Sequence, residues 1–161
     1  MTVNNLKSAP LTNADARPIA PSYPFEANGV VRSSTGHIAK VAGDTNGSTF
    51  RFVRLPSNAR LIGRTLENDA LSGSTDCDIG LYNVDGGAVV DADLLEDGLA
   101  LTSAGSAFAP FGVTAPENAA KRLWELAGET VDPGGEYDVV LTGTTIGTAA
   151  GDIRLEVLWT I

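Results

Sequence analysis

The sequence predicts an all-β protein: an antiparallel β-sandwich or jelly-roll-like body with one or two short helices and an extended N-terminal arm. Three observations predict it. From residue 28 onward the chain breaks into short strand-like runs separated by turn residues, the pattern of a sandwich or barrel. Its 161 residues include 18 glycines and 8 prolines, more than a helical bundle tolerates. The final run, "DIRLEVLWTI", alternates, with Ile153, Leu155, Val157, Trp159 and Ile161 on one side and Arg154, Glu156 and Thr160 on the other. The length suits one domain with one sizeable core, and 43% hydrophobic against 19% charged residues is a globular balance.

The elements follow in order. Residues 1–27 hold Pro10, Pro18, Pro21 and Pro24 and show no strand or helix period, so they read as an extended arm joined to a β-sandwich domain at 28–161. At about 3.3 Å per residue such an arm spans up to about 90 Å, enough to reach a neighbouring subunit. "NGVVRSSTGHIAKVAG" suggests one or two strands around a turn at Ser33 to Gly36, and Gly43 to Gly47 makes the next turn. "STFRFVRL" and "ARLIGRTLEND" flank Pro56-Ser57-Asn58 and read as neighbouring antiparallel strands. "DCDIGLYNV" and "GAVVDA" flank Asp85-Gly86-Gly87, a hairpin signal. Asp91 to Gly98 reads as a short helical turn burying Leu94 and Leu95, and "LTSAGSAFAPFGVTAP" as a long loop. Thr114-Ala115-Pro116-Glu117 has the spacing of a capping box and opens a helix that closes at Gly128, with Ala120, Leu123, Trp124 and Ala127 on one face. "EYDVVLT" places Tyr137, Val139 and Leu141 on one face of a strand.

Composition excludes several functions. Lys+Arg 11 against Asp+Glu 20 gives a net charge of -9, which repels phosphate, so no nucleic-acid partner is expected and a protein partner is. Cys77 is the single cysteine, which rules out an intramolecular disulfide and fits assembly in a reducing cytoplasm. The N-terminus shows no secretion signal and no run is long and apolar enough for a membrane span.

The search for chemistry returns no catalytic residue, cofactor or metal. His37, the single histidine, sits in a Ser/Thr/Gly-rich region with no adjacent carboxylate in sequence. No G-x-S-x-G, G-x-x-x-x-G-K-[ST] or strand-linked G-x-G-x-x-G occurs. Cys77 lies between Asp76 and Asp78, whose charge disfavours a thiolate. The acidic run from Asp76 to Asp97 does not fit an EF-hand: with Gly86 at the invariant glycine, Leu81 and Ala92 fall on ligand positions. A loop calcium site at Asp91 and Asp93 stays open beside the plainer reading of a solvated acidic rim.

The stretch "STFRFVRLPSNARLIGRTL" concentrates Arg51, Arg54, Arg60 and Arg64 in this acidic chain. With Phe50 and Phe52 inward, Arg51 faces outward, and Arg60 and Arg64 share a face, so the four suggest a basic stripe pairing with carboxylates of the same subunit or an identical neighbour. These arginines, with the arm's Pro18, Pro21, Tyr23, Pro24 and Phe25, are the candidate interface residues.

At "GSTFRFVRLPSNARL", then "DIGLY", "GGAVVDADL", "KRLWELAG" and "DPGGEYDVVLT", the chain resembles a widespread group of small virion proteins of tailed bacteriophages found among head-assembly proteins. The resemblance runs with gaps from about Gly47 to Leu141 and carries over no catalytic residue. It implies a decoration or cement protein on the outside of the major capsid shell, β-rich, commonly a homotrimer, assembled in the host bacterial cytoplasm, with the major capsid protein as partner. The sequence also admits two other classes: a head-fibre or tail-associated module binding host-surface glycan, which predicts an exposed aromatic cluster, and a small hydrolase using His37 or the Asp91/Asp93 pair.

Overall fold

The computed structural model describes residues 12, 13, 15–18, 29–85, 87–111 and 116–161. Among these residues eight strands form: β1 (Arg32–Lys40), β2 (Ser48–Pro56), β3 (Arg60–Asn68), β4 (Asp76–Asn83), β5 (Val89–Leu99), β6 (Gly105–Ala109), β7 (Glu136–Thr145) and β8 (Gly151–Thr160). They make two four-stranded sheets, β1-β8-β3-β6 and β2-β7-β4-β5, here sheets A and B, with every pairing antiparallel. This wiring, in which successive strands mostly cross between sheets, is that of a jelly roll.

The core lies between the sheets. Leu66, Ile153, Leu155 and Val157 of sheet A meet Val53, Leu55, Ile79, Leu81, Val139 and Leu141 of sheet B. Alternation in β8 produces its half of this core, as the sequence predicts, except that Ile161 lies past the strand end and is exposed. On one side the sheets close tightly: a Cβ at Gly36 of β1 would stand 2.2 Å from the Phe52 carbonyl oxygen of β2, so only glycine permits this approach.

Several expectations are corrected. Strands β2 and β3 are not neighbours: β2 pairs with β7, whereas β3 pairs with β8 and β6. Pro56-Ser57-Asn58 is a crossing between sheets, held by Ser57 N–H to the Gly135 carbonyl at 2.9 Å and Ser57 Oγ to Asp132 at 2.5 Å. Ser33 to Gly36 is not a turn but part of β1. Asp91 to Gly98 belongs to β5; register shifts against β4 break the simple alternation there, which made Leu94 and Leu95 look helical. The segment read as a long loop contains β6.

The helix expected to run to Gly128 is divided into a 3-10 turn (Pro116–Ala120) and a single α-turn, α1 (Leu123–Leu126). Arg122 between them is extended, with φ −80° and ψ 162°, and its N–H is capped by Glu125 at 2.7 Å. The N–H groups of Leu123 and Trp124 donate to the carbonyls of Ala59 and Ser57, at 2.9 and 3.0 Å. Tertiary partners thus satisfy the donors exposed by restarting the helix. The capping residue expected at Thr114 lies outside the described residues. In the arm, Thr12, Asn13 and Asp15 are helical rather than extended, while Pro21, Tyr23, Pro24, Phe25 and the arm's junction with the body lie outside the described residues.

Candidate interface surfaces

The four arginines of the opening stretch do not form a stripe. In β2 a bulge between Arg51 and Val53 makes Phe52 the extra residue, only partly buried, while Phe50, Val53 and Leu55 face the core. Strict alternation would put Arg51 and Arg54 on opposite faces. The bulge brings both outward onto Asp138 of β7, Arg51 Nη1 at 2.7 Å and Arg54 through Nε at 2.7 Å and Nη2 at 3.2 Å. The Arg54 bond, followed by the Arg51 bond, holds the Asp138 carboxyl below its usual range although burial works the other way. Arg51 also stacks on Tyr82, 5.6 Å from the ring centroid, and passes beneath the β4–β5 hairpin. There a Cβ on Gly87, at φ +67°, would stand 2.1 Å from Arg51 Nη2.

Arg60 and Arg64 are buried, at 8% and 4% exposure, and add nothing to an exposed patch. Arg64 instead donates through Nε and Nη2 to both carboxylate oxygens of Glu96, an ion pair that bridges β3 of sheet A to β5 of sheet B. Asp138 and Glu96 are the carboxylate partners of these arginines that sequence reasoning did not name. The outward parity of Asp138 in "EYDVVLT" was a usable signal; Glu96 was hidden by reading β5 as helical.

The outer face of sheet A carries a polar ladder across all its strands. Ser33 donates to Glu156 at 2.6 Å, Arg154 bridges Glu156 and Glu67 at 3.4 and 2.8 Å, and Ser106 donates to Glu67 at 3.1 Å. His37 lies on this face in β1, exposed and 3.2 Å from Asp152. Among the described residues no serine or cysteine hydrogen-bonds His37. Cys77 is fully buried, and burial, followed by the charges of Asp78 and Asp76, pushes its thiol up to about 11.

Asp91 and Asp93 lie together on β5, where the Asp93 contact raises the Asp91 pKa. Among the described residues, the three carboxylates whose oxygens fall within 4.8 Å of one another are Asp76, Asp78 and Asp97. Asp78 is already occupied by the Thr144 hydroxyl at 2.6 Å and the Gly98 N–H at 3.0 Å. No helix among the described residues is long and apolar enough to cross a membrane.

The edges of the sheets differ. Strand β6 is one of the two edge strands of sheet A, β1 being the other, and its sequence GSAFA has no charged residue or proline; each of the other seven strands described carries charge. Phe108 within it is 60% exposed, its ring lying over Gly63. Charge and proline are the usual devices that keep an edge from pairing, and β6 has neither.

No family model matches the chain, and no curated protein matches it. Solved structures do. Over 100% of this chain and 99% of the other, it is similar to a chain of the cyanophage Pam1 capsid asymmetric unit, at 24% identity and a TM-score of 0.55. Over 81% of this chain and 84% of the other, it is similar to a chain of the capsid of Ralstonia phage GP4, at 14% identity and a TM-score of 0.59. At these identities the likeness is one of fold.

Proposed function

We propose that the chain is a virion structural protein, not an enzyme: a decoration or cement protein that binds the outer surface of a tailed phage's major capsid shell and bridges capsomers. The observation that carries this reading is the end-to-end match to a chain of the cyanophage Pam1 capsid asymmetric unit, with almost nothing left over on either side. A net charge of -9 fits a position away from packaged DNA. Repetition by symmetry lets modest contacts hold a shell, because each bound copy raises the effective concentration of the next contact.

In this reading the partners are the major capsid protein and further copies of the chain, as a homotrimer where capsomers meet, with no nucleic acid or membrane. The arm and one sheet edge make the contacts. Strand β6 is the edge best suited, since a strand without charge accepts a partner strand without repulsion. Co-sedimentation with undecorated shells of its own phage tests the proposal. Full-length protein should bind to saturation, and a variant lacking residues 1–27 should remain folded by circular dichroism and fail to bind. Absence of binding by the folded full-length protein would reject the reading, and undiminished binding by the truncated one would reject the role of the arm.

A further inference from the structure

We infer that the concavity at the β4–β5 hairpin end of sheet B is a docking site for a cationic side chain, arginine or lysine, presented by a neighbouring polypeptide. The concavity measures about 830 Å³ and lies between the hairpin, the segment after α1 and the start of β7. Its carboxylates come from all three: Asp85 from the hairpin turn, Glu129 from the segment after α1, and Glu136 from β7. All three residues are exposed. No basic residue lines it, and Pro56, Val84, Pro133 and Tyr137 give it apolar surface.

Tyr137 is the second, independent observation. The residue is 5% exposed and belongs to the core, yet it lines the cavity. Its hydroxyl has no hydrogen-bond partner among the described residues and is not enclosed by the core, so it opens onto the cavity, where an incoming group can bond it. Burial and the charges of Glu129 and Asp132 raise its pKa, which places those carboxylates near it.

The rim is built before any ligand arrives. Asp132 accepts from Ser57 Oγ at 2.5 Å and from the Gly134 N–H at 2.9 Å, which fixes the turn that forms one wall. Less ordering is therefore left to be done on binding. Arg54 feels the charges of Glu136 and Asp85, but its Nε and Nη2 are held by Asp138, so it does not fill the site. Carboxylates around a partly apolar wall match a side chain that has a cationic head on an apolar stem. A polypeptide source is favoured over a small ion because the cavity is far larger than one ion needs and part of its wall is apolar.

The test uses the full chain, labelled with nitrogen-15, and the peptide acetyl-Gly-Arg-Gly-amide, followed by amide shifts. The expected result is saturable movement confined to Asn83–Asp85 and Gly134–Tyr137, absent with the citrulline peptide of the same shape. The pair Glu129→Gln/Glu136→Gln should weaken binding at least about fivefold, while Asp93→Asn/Asp97→Asn, which removes the same charge elsewhere, should leave it unchanged. Equal loss in both pairs, equal binding of the citrulline peptide, or tighter binding of spermidine than of the peptide would each overturn the inference. No shells are used, so failure here leaves the cement reading standing, and failure of that reading leaves this site to be judged by its own titration.

Discussion

Arg51 and Arg54 on one side, and Arg64 on the other, come from one short stretch of sequence and meet opposite fates. The first pair ends on the outer face of sheet B, half exposed, sharing the single carboxylate of Asp138. Arg64 ends between the sheets, buried, gripping Glu96 with two donors. Residue type and spacing are alike; what differs is the backbone. The bulge at Phe52 turns two arginines to the same outward side, and the crossing at Pro56-Ser57-Asn58 sends the next strand into the other sheet. The outward cluster ties a hairpin to its sheet, whereas the inward pair ties sheet to sheet.

That contrast orders the effects of breaking each. Arg64→Ala leaves Glu96 without its partner in a site with little water, and should cost about 3–5 kcal/mol in chemical denaturation. The double variant Arg64→Met/Glu96→Leu removes both charges and should recover most of that loss; if it does not, the pair contributes more than relief of a buried charge. Asp138→Asn should cost less, about 1–3 kcal/mol, because the guanidiniums it releases already reach solvent.

Acid sharpens the same point. The folded pKa of Asp138 lies below its ordinary 3.8, so the stability it supplies is complete above the unfolded value and is lost as pH falls through the folded one. The stability gap between wild type and Asp138→Asn should therefore hold at pH 5 to 7 and narrow below about pH 4; a constant gap would assign it to packing. The smallest effect is expected at the outer ladder of sheet A, where Arg154→Ala should leave the thermal midpoint unchanged within error, since its partners are solvated.

Much of this fold was legible in the sequence, for physical reasons. The alternation of β8 and the Asp-Gly pair between β4 and β5 are local signals; β8 forms, and β4 pairs with β5 as a hairpin. Three features were not local. Turn chemistry at Pro56-Ser57-Asn58 suits a hairpin and a crossing equally, and the choice depends on which sheet completes the core. Strand β6, with no β-branched residue and one bulky one, takes its strand form from pairing with β3. The helix after Pro116 breaks at Arg122 because carbonyls of Ser57 and Ala59 lie within reach. For the candidate interface, the presence of arginines facing carboxylates was readable, but which arginine met which acid depended on the bulges in β2 and β3.

The proposed cementing role is tested most directly by the stability of the shell itself. Undecorated shells of the cognate phage, heated with increasing amounts of the protein, should show a disruption temperature that rises and then levels off as binding saturates. Full occupancy with no rise in that temperature would contradict the account.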